Sequence, residues 1–380
     1  MHSICLRKYK LNFNLLEPII QQSNNTPFSL IDGASGYGLS VSHESEELKK
    51  IVINLENELN DRLEAYEDII NIDIGDTSLG RARNLERDTG LRQLYIKFEG
   101  GNPTGTQKDR IAFAQCHDAL RRNYDTITLA TCGNYGVAVA LAANLAGLKC
   151  IICIPETYHT KRINEMEKLG ATIIRTPGNY EDSVGYSKQI AFEREYYDAN
   201  PGGANTHLQL ISYAEIAFEI YDVLHDAPKI LAAPVSNGTM LAGIHRGFMT
   251  LFKRGKTSRV PRIVAGSSYK KNPIILSFKK GLDYCADLAP ELIKETKVNE
   301  ALINWHSFDG DLALHSLYST DGWADDVSDT RLSYVSKILK DKEGLSVLPA
   351  STAGLIALLE LHKKEDFNND RFVAVLTGRK

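Results

Sequence analysis

The 380-residue sequence holds only 2 tryptophans, 4 methionines and 6 cysteines, and no stretch reaches the ~18 consecutive apolar residues that a membrane-spanning helix requires. With no basic-then-apolar leader pattern at its start, neither membrane insertion nor secretion is expected, and the cytoplasm is the expected compartment. Charge of one sign is also lacking. The 44 basic and 48 acidic residues leave a net charge of −4 with no long block of either, so there is no electrostatic footprint for nucleic acid. The cysteines (Cys5, Cys116, Cys132, Cys150, Cys153 and Cys285) are too sparse for the disulfide framework of a small secreted domain. Cys150 and Cys153 form a C-x-x-C, but the run Cys-Ile-Ile-Cys-Ile reads as a buried strand and no second Cys or His pair stands at zinc spacing. Reduced core thiols and no metal are the expectation.

What is present is an ordinary globular balance, 43% apolar and 24% charged, over a length that fits two domains. Three β-rich runs, 127–131, 150–154 and 172–176, are separated by helical segments, the first being an Ala-rich stretch from Val137 to Ala146 closed by Gly147. A second alternating block follows residue 209: a helix over 213–224, a strand 230–235, a helix from about Leu241 and a strand 262–265. The chain closes with a helix from about Thr352 and a strand 372–376. The βα order predicts two doubly wound α/β domains with a ligand between them, beyond the carboxyl ends of the strands. The expected division is an arm over 1–75, a large domain over 76–113 and 209–380, and a smaller one over 114–208. In the arm, Leu48, Ile51, Val52, Leu55 and Leu59 have helical spacing within a charged run from Glu46 to Tyr66, which predicts one buried face.

Four segments concentrate turn and helix-start signals. The strand 94–99 runs into Gly100-Gly-Asn-Pro-Thr-Gly105 and then Thr106-Gln-Lys-Asp-Arg110, placing Lys108 at the start of a helix. There the macrodipole disfavours an ammonium and favours the neutral amine that imine chemistry needs. Thr131-Cys-Gly-Asn-Tyr-Gly136 lies between a strand and a helix; alone it is either a structural turn or an anion site. Pro234-Val-Ser-Asn-Gly-Thr-Met-Leu-Ala-Gly243 is a third strand-to-helix turn, and Val375-Leu-Thr-Gly378 ends the last strand.

Taken in order, these segments carry a resemblance. Asn102-Pro-Thr-Gly-Thr-Gln-Lys-Asp-Arg110 resembles the asparagine-proline-threonine-glycine-serine-phenylalanine-lysine-aspartate-arginine segment of threonine synthases, within the fold-type II group (tryptophan synthase beta-like) of pyridoxal-phosphate enzymes. The resemblance implies that Lys108 carries pyridoxal 5′-phosphate as a Schiff base and then shuttles the substrate's proton. It implies that Asn134 meets the cofactor's 3′-oxygen, that Thr131, Cys132, Gly133 and Tyr135 meet the substrate, and that Ser236, Asn237, Gly238, Thr239 and Met240 form the phosphate cup. Thr377 would meet the pyridine nitrogen. Ser236 and Thr239 stand where relatives often have glycine, with hydroxyls that are potential donors. Ser351, in a segment resembling the family's glutamate-proline-alanine-serine-alanine stretch, is expected to cap the following helix. A homodimer acting on a small amino acid is implied, with elimination or replacement at Cγ or Cβ favoured over transamination because a neutral hydroxyl faces the ring nitrogen. Threonine formation from O-phosphohomoserine is the named expectation; β-replacement or β-elimination on serine-type substrates and a catalytically silent cofactor-binding subunit are the alternatives. One mismatch bears on substrate: an ungapped pairing puts Gly202, Gly203 and Leu208 where the family has an asparagine-serine pair and an arginine for the substrate phosphate. Lys161, Arg162 and His207 are the replacement cations the sequence offers.

Overall fold

The fold was analysed in a computed structural model, which describes residues 28–32, 38–131, 133–156, 158, 162–365, 367 and 370–380. Cys132 and Lys161 lie outside the described residues, as does most of the first forty. In chain order the elements are β1 (Phe28–Asp32), β2 (Gly38–Val41), α1 (His43–Ile53), α2 (Leu59–Asp73), β3 (Leu79–Arg81), α3 (Arg83–Thr89), β4 (Leu94–Phe98), α4 (Lys108–Arg121), β5 (Thr126–Ala130), α5 (Asn134–Ala146), β6 (Lys149–Pro155), α6 (Ile163–Lys168) and β7 (Thr172–Thr176). There follow α7 (Tyr180–Arg194), β8 (Tyr197–Asp198), α8 (Thr206–Leu224), β9 (Ile230–Pro234), α9 (Thr239–Lys253), β10 (Arg262–Ser268), α10 (Pro273–Lys279), α11 (Gly310–Tyr318), β11 (Trp323–Val327), α12 (Asp329–Glu343), α13 (Ala353–Lys364) and β12 (Phe372–Leu376).

Two sheets organise the α/β body. One has the order β11-β10-β9-β12-β4-β3, parallel except for the edge strand β3; the other, β7-β6-β5-β8, is parallel throughout. Strands buried on both faces should be apolar at every position while sending alternate side chains into different cores. In β12, Val373 and Val375 join the core shared with the smaller sheet, and Phe372, Ala374 and Leu376 join a second core under α12 and α13. Ala233 of β9 and Gly354 of α13 come so close that a Cβ on Gly354 would stand 2.4 Å from the Ala233 carbonyl carbon. Glycine is required there to let the helix lie on the sheet. Cys150 and Cys153 are buried free thiols of β6, as expected.

Because the chain returns to insert β12 between β9 and β4, three parallel strands that are distant in sequence end side by side. Their carboxyl ends deliver the Lys108 loop, Thr377 and the 235–238 turn to one place, while β5 of the smaller sheet delivers Thr131, Gly133 and Asn134.

The expected continuous helix from Glu46 to Tyr66 is instead two, broken at residues 54–58. Ile51 and Leu55 are exposed, and Val52 is the buried residue of that set; the stripe that α2 buries is Ala65, Tyr66 and Ile69. The break resets the helical phase, so spacing counted across it does not describe one face. Both helices join the main core: the Tyr66 hydroxyl donates to the Ala142 carbonyl at 2.9 Å, and the Tyr66 ring stacks on Phe113.

Candidate active site

Lys108 is the first residue of α4, reached from β4 through a short 3-10 turn at Glu99–Gly101. The loop is tied at many points. Thr104 donates through its backbone N–H (2.8 Å) and its hydroxyl (2.6 Å) to the Asp109 carboxyl, and the Gln107 N–H donates to the Thr377 carbonyl at 3.0 Å. Arg379 spans the same loop, donating to the Gly100 and Pro103 carbonyls, both at 3.0 Å. Below it lies a buried charge network in which Arg110 bonds Glu99 (2.6 Å) and Glu219 (2.7 Å), and Lys97 bonds Glu219. Burial works against an ionised Glu219, yet Arg110 and Lys97 hold its carboxyl down at about 2. The Lys108 amine is itself buried, which lowers it to about 8 against the opposing charge of Asp309. A buried amine that is partly neutral near neutral pH is suited to attack a carbonyl carbon. Burial supplies the effect the macrodipole alone was expected to give.

On the facing side, Gly133 precedes the first residue of α5, Asn134. The Asn134 side-chain oxygen accepts from the Arg162 guanidinium at 2.7 Å, and Arg162 in turn pairs with the buried Glu165 at 3.0 Å. The Asn134 Nδ2 group is thereby left as the donor of that amide. The Tyr135 ring lies 5.3 Å from the Lys108 Nζ; its hydroxyl donates to the Ala199 carbonyl (2.7 Å) and accepts from Gln115. Tyr135 therefore offers the cavity a ring face.

The 235–240 turn opens α9 with Gly238 at φ +100°, a conformation side chains resist, and an added Cβ would stand 2.6 Å from the Asp309 carbonyl oxygen. The first-turn amides of α9 at Thr239, Met240 and Leu241 have no carbonyl within the helix to serve, so they converge as donors on the turn. The side chains behave differently. The Asn237 oxygen accepts from Asn304 at 3.0 Å, and the Thr239 hydroxyl donates to the Asp309 carboxyl.

At the end of β12 the Thr377 hydroxyl lies 3.1 Å from that of Ser351, which also donates to the Gly378 carbonyl at 3.3 Å. Ser351 does not cap α13 as expected. A 3-10 turn over Pro349–Thr352 precedes the helix, so Ser351 lies inside that turn, and the N-cap position falls to Thr352, whose hydroxyl donates to the Pro349 carbonyl instead of capping the helix.

A cavity of about 660 Å³ joins these parts, lined by Lys108, Thr131, Gly133, Asn134, Tyr135 and Thr377 together with Ser236 through Met240. The structure thus brings every described residue of the expected site to one cavity, of the size usual for a small-ligand site. Its far wall adds Glu181, Glu295, Glu300 and Trp305, which were not foreseen, and Arg162, one of the cations the sequence offered for a substrate anion. Burial raises the carboxyls of Glu181, Glu295 and Glu300, the last against a 2.9 Å bond from the Tyr158 hydroxyl. His207 is not part of the cavity lining; it faces Arg246 on the exposed side of α8 and α9. Arg162 reaches the cavity from beyond the carboxyl end of β6. The loop 281–309 carries no periodic pattern to read.

The parts fit pyridoxal phosphate. A buried amine of lowered basicity faces a cavity with amide donors at one end and a neutral hydroxyl pair at the carboxyl end of β12. Comparison with known proteins agrees. The sequence model described as "Pyridoxal-phosphate dependent enzyme" matches residues 70–378. The chain is 30% identical over 313 residues to a threonine synthase of Methanocaldococcus jannaschii, covering 82% of this chain and 76% of that one. It is also 30% identical over 308 residues to a threonine synthase of Bacillus sp. strain ULM1, covering 80% and 82%. Among solved structures, maize serine racemase superposes with a TM-score of 0.70 at 18% identity, over 83% of this chain and 92% of that one. The processed form of threonine deaminase isoform 2 from Solanum lycopersicum superposes with a TM-score of 0.65 at 19% identity, over 84% and 90%. At those identities the structural likeness establishes the fold, and the sequence matches establish the rest: the chain belongs to the pyridoxal-phosphate dependent enzymes of fold type II.

Proposed function

We propose that this enzyme is a carbon-oxygen lyase of threonine synthase type, converting O-phosphohomoserine to threonine and phosphate. The observation that carries the reading is the 30% identity to threonine synthases over four-fifths of the chain, in a protein whose Lys108, Asn134 and Thr377 line one cavity. When bound, pyridoxal phosphate draws electrons from the substrate's α-carbon and makes its proton acidic. The residues of the chain do the remainder. The Lys108 amine, lowered to about 8, takes and returns the proton. The α9 amides would hold the cofactor's phosphate, and the Asn134 Nδ2 group would donate to its ring oxygen. The hydroxyls of Thr377 and Ser351, 3.1 Å apart, would meet its ring nitrogen without a charge, which favours elimination and replacement over transamination. The amides of Gly133 and Asn134, where α5 opens, would receive the substrate's carboxylate, and the Tyr135 ring closes that side.

We further assign residues 76–113 and 209–380 to a large domain, 114–208 to a small one and 1–75 to an extension, supported by the membership of the two sheets. A cytoplasmic homodimer is the assembly this reading expects. The test is phosphate release: purified enzyme should liberate inorganic phosphate and threonine from O-phosphohomoserine, and no release from a cofactor-loaded preparation would overturn the named activity.

A second reading, β-replacement or β-elimination on serine-type substrates, is favoured by the far wall. Glu181, Glu295 and Glu300 line it against Arg162 and Lys294, and the turn at Gly202 packs on Phe308. A dianionic phosphate gains little from such a wall. Ketoacid formation from serine or threonine in the same preparation would select this reading.

A further inference from the structure

Thr239, in the first turn of α9, has one hydroxyl proton to give, and in this structure it goes to the Asp309 carboxyl. The pair is enclosed. Thr239 is 8% exposed and Asp309 5%, and the Asp309 backbone N–H is fixed to the Asn237 carbonyl at 3.0 Å. The charged groups facing Asp309 are Lys108 of α4 and Lys188 of α7, while the Gly202 N–H reaches it from the turn before α8. On its own segment His306 is turned to Asp287, and Asp311 accepts from the Cys285 N–H. A phosphate monoester in the cup needs donors and repels a carboxylate, so both demands conflict with an ionised Asp309.

We propose that Asp309 and Thr239 form a proton relay that couples cofactor phosphate binding to proton uptake. When the phosphate enters, Asp309 takes one proton from solvent and donates it in a hydrogen bond to the Thr239 oxygen. The Thr239 O–H then turns to the phosphate. No covalent bond other than the carboxyl O–H is made. Burial already raises the Asp309 carboxyl, against the bond from Thr239 and the charges of Lys188 and Lys108, which favours taking the proton up. Asp309 is a positioning residue, acting on the phosphate through Thr239.

The test uses full-length protein freed of cofactor and titrated calorimetrically with pyridoxine 5′-phosphate, which has the phosphate but no aldehyde to react with Lys108. Proton uptake is read by repeating each titration in buffers of different ionisation enthalpy between pH 7 and 9. Wild type is expected to take up about one proton more than Asp309→Asn, and its affinity to fall more steeply with pH, by up to about tenfold per unit in the one-proton limit. Because Asp309 acts on the Lys108 amine, both titrations are repeated in a Lys108→Ala background, which removes that amine from the proton count. Asp309→Asn, whose amide donates to Thr239 at every pH, should bind more tightly than wild type at pH 9. Equal proton counts and parallel pH profiles would overturn the relay. If Asp309→Asn does not fold, Thr239→Ser and Thr239→Val decide: the serine variant should keep the extra proton and the valine variant lose it, and no difference between them rejects the proposal.

Discussion

The two walls of the cavity were built in different ways. The near wall consists of four short turns, each following a parallel strand and bringing its own residues together within a few positions of sequence: 99–108, 131–135, 235–240 and 376–378. The far wall is assembled from single side chains on separate segments, with Arg162 before α6, Glu181 on α7 and Glu295, Glu300 and Trp305 on the loop before α11. A strand that ends in a turn has a fixed exit direction, and the hydrogen bonds of the sheet hold it. The near wall is therefore rigid, and the proposed function assigns it to the cofactor and leaves the far wall to tell substrates apart. The two walls should respond differently to mutation.

The largest effect expected is from the near wall. Lys108→Ala should lower turnover by about 10⁴-fold, roughly 5 kcal/mol of barrier, because in the proposed function one side chain both holds the cofactor and moves the proton. Steady-state rates with circular dichroism as the folding control would measure it; a variant retaining a tenth of the activity would remove Lys108 from the chemistry.

The support beneath that wall comes next. Glu219→Gln leaves Arg110 and Lys97 buried with one carboxylate, Glu99, where there were two, and is expected to cost about 3 kcal/mol or more of folding stability. The sign with pH follows from a carboxyl held at about 2, below its unfolded value of about 4.3. Its contribution is fully present above about pH 4.3 and is lost as pH falls towards 2, so urea midpoints of wild type and variant should converge in acid. Midpoints that stay equally far apart at pH 3 would assign the loss to something other than ionisation.

These turns were legible for the same reason that they are rigid. Asn102–Arg110 and Ser236–Met240 are contiguous, so a resemblance could be read residue by residue, and the alternation of strands and helices fixed which ends they shared. The bond between Ser351 and Thr377 was not legible, since a 3-10 turn moved Ser351 off the cap position, and neither was the break between α1 and α2. Both are shifts of phase that periodicity cannot report. Apart from Arg162, the far wall was illegible for a deeper reason. Glu181 accepts the backbone N–H of Trp305, 124 positions away, and Glu300 accepts from the Tyr158 hydroxyl, 142 positions away. Nothing local marks such pairs.

A pH experiment sharpens the near wall without mutation. With the Lys108 amine lowered to about 8 by burial, capture of pyridoxal phosphate by cofactor-free protein should quicken by about tenfold per unit as pH rises from 6, then level above about 8. The growth of the absorbance band of the lysine-bound cofactor follows the rate. A profile that keeps climbing past pH 10 would show an amine of ordinary basicity and an open site.

The smallest effect is the one that tests the comparison itself. Glu300 shares the cavity with Lys108 but belongs to the far wall, and its carboxyl, raised by burial, accepts from Tyr158. Glu300→Gln keeps the shape and the Tyr158 bond while removing the charge. If the far wall sorts substrates by charge, KM for a phosphate-bearing amino acid should fall about threefold, about 0.6 kcal/mol, with kcat nearly unchanged, because the lost repulsion acts equally on ground and transition states. KM for serine should not move. An equal change for both substrates would mean that Glu300 shapes the site as a whole, and the division between a cofactor wall and a substrate wall would then fail. A change in kcat alone would place Glu300 beside the reacting atoms, joining it to the near wall in function although it stands apart in sequence.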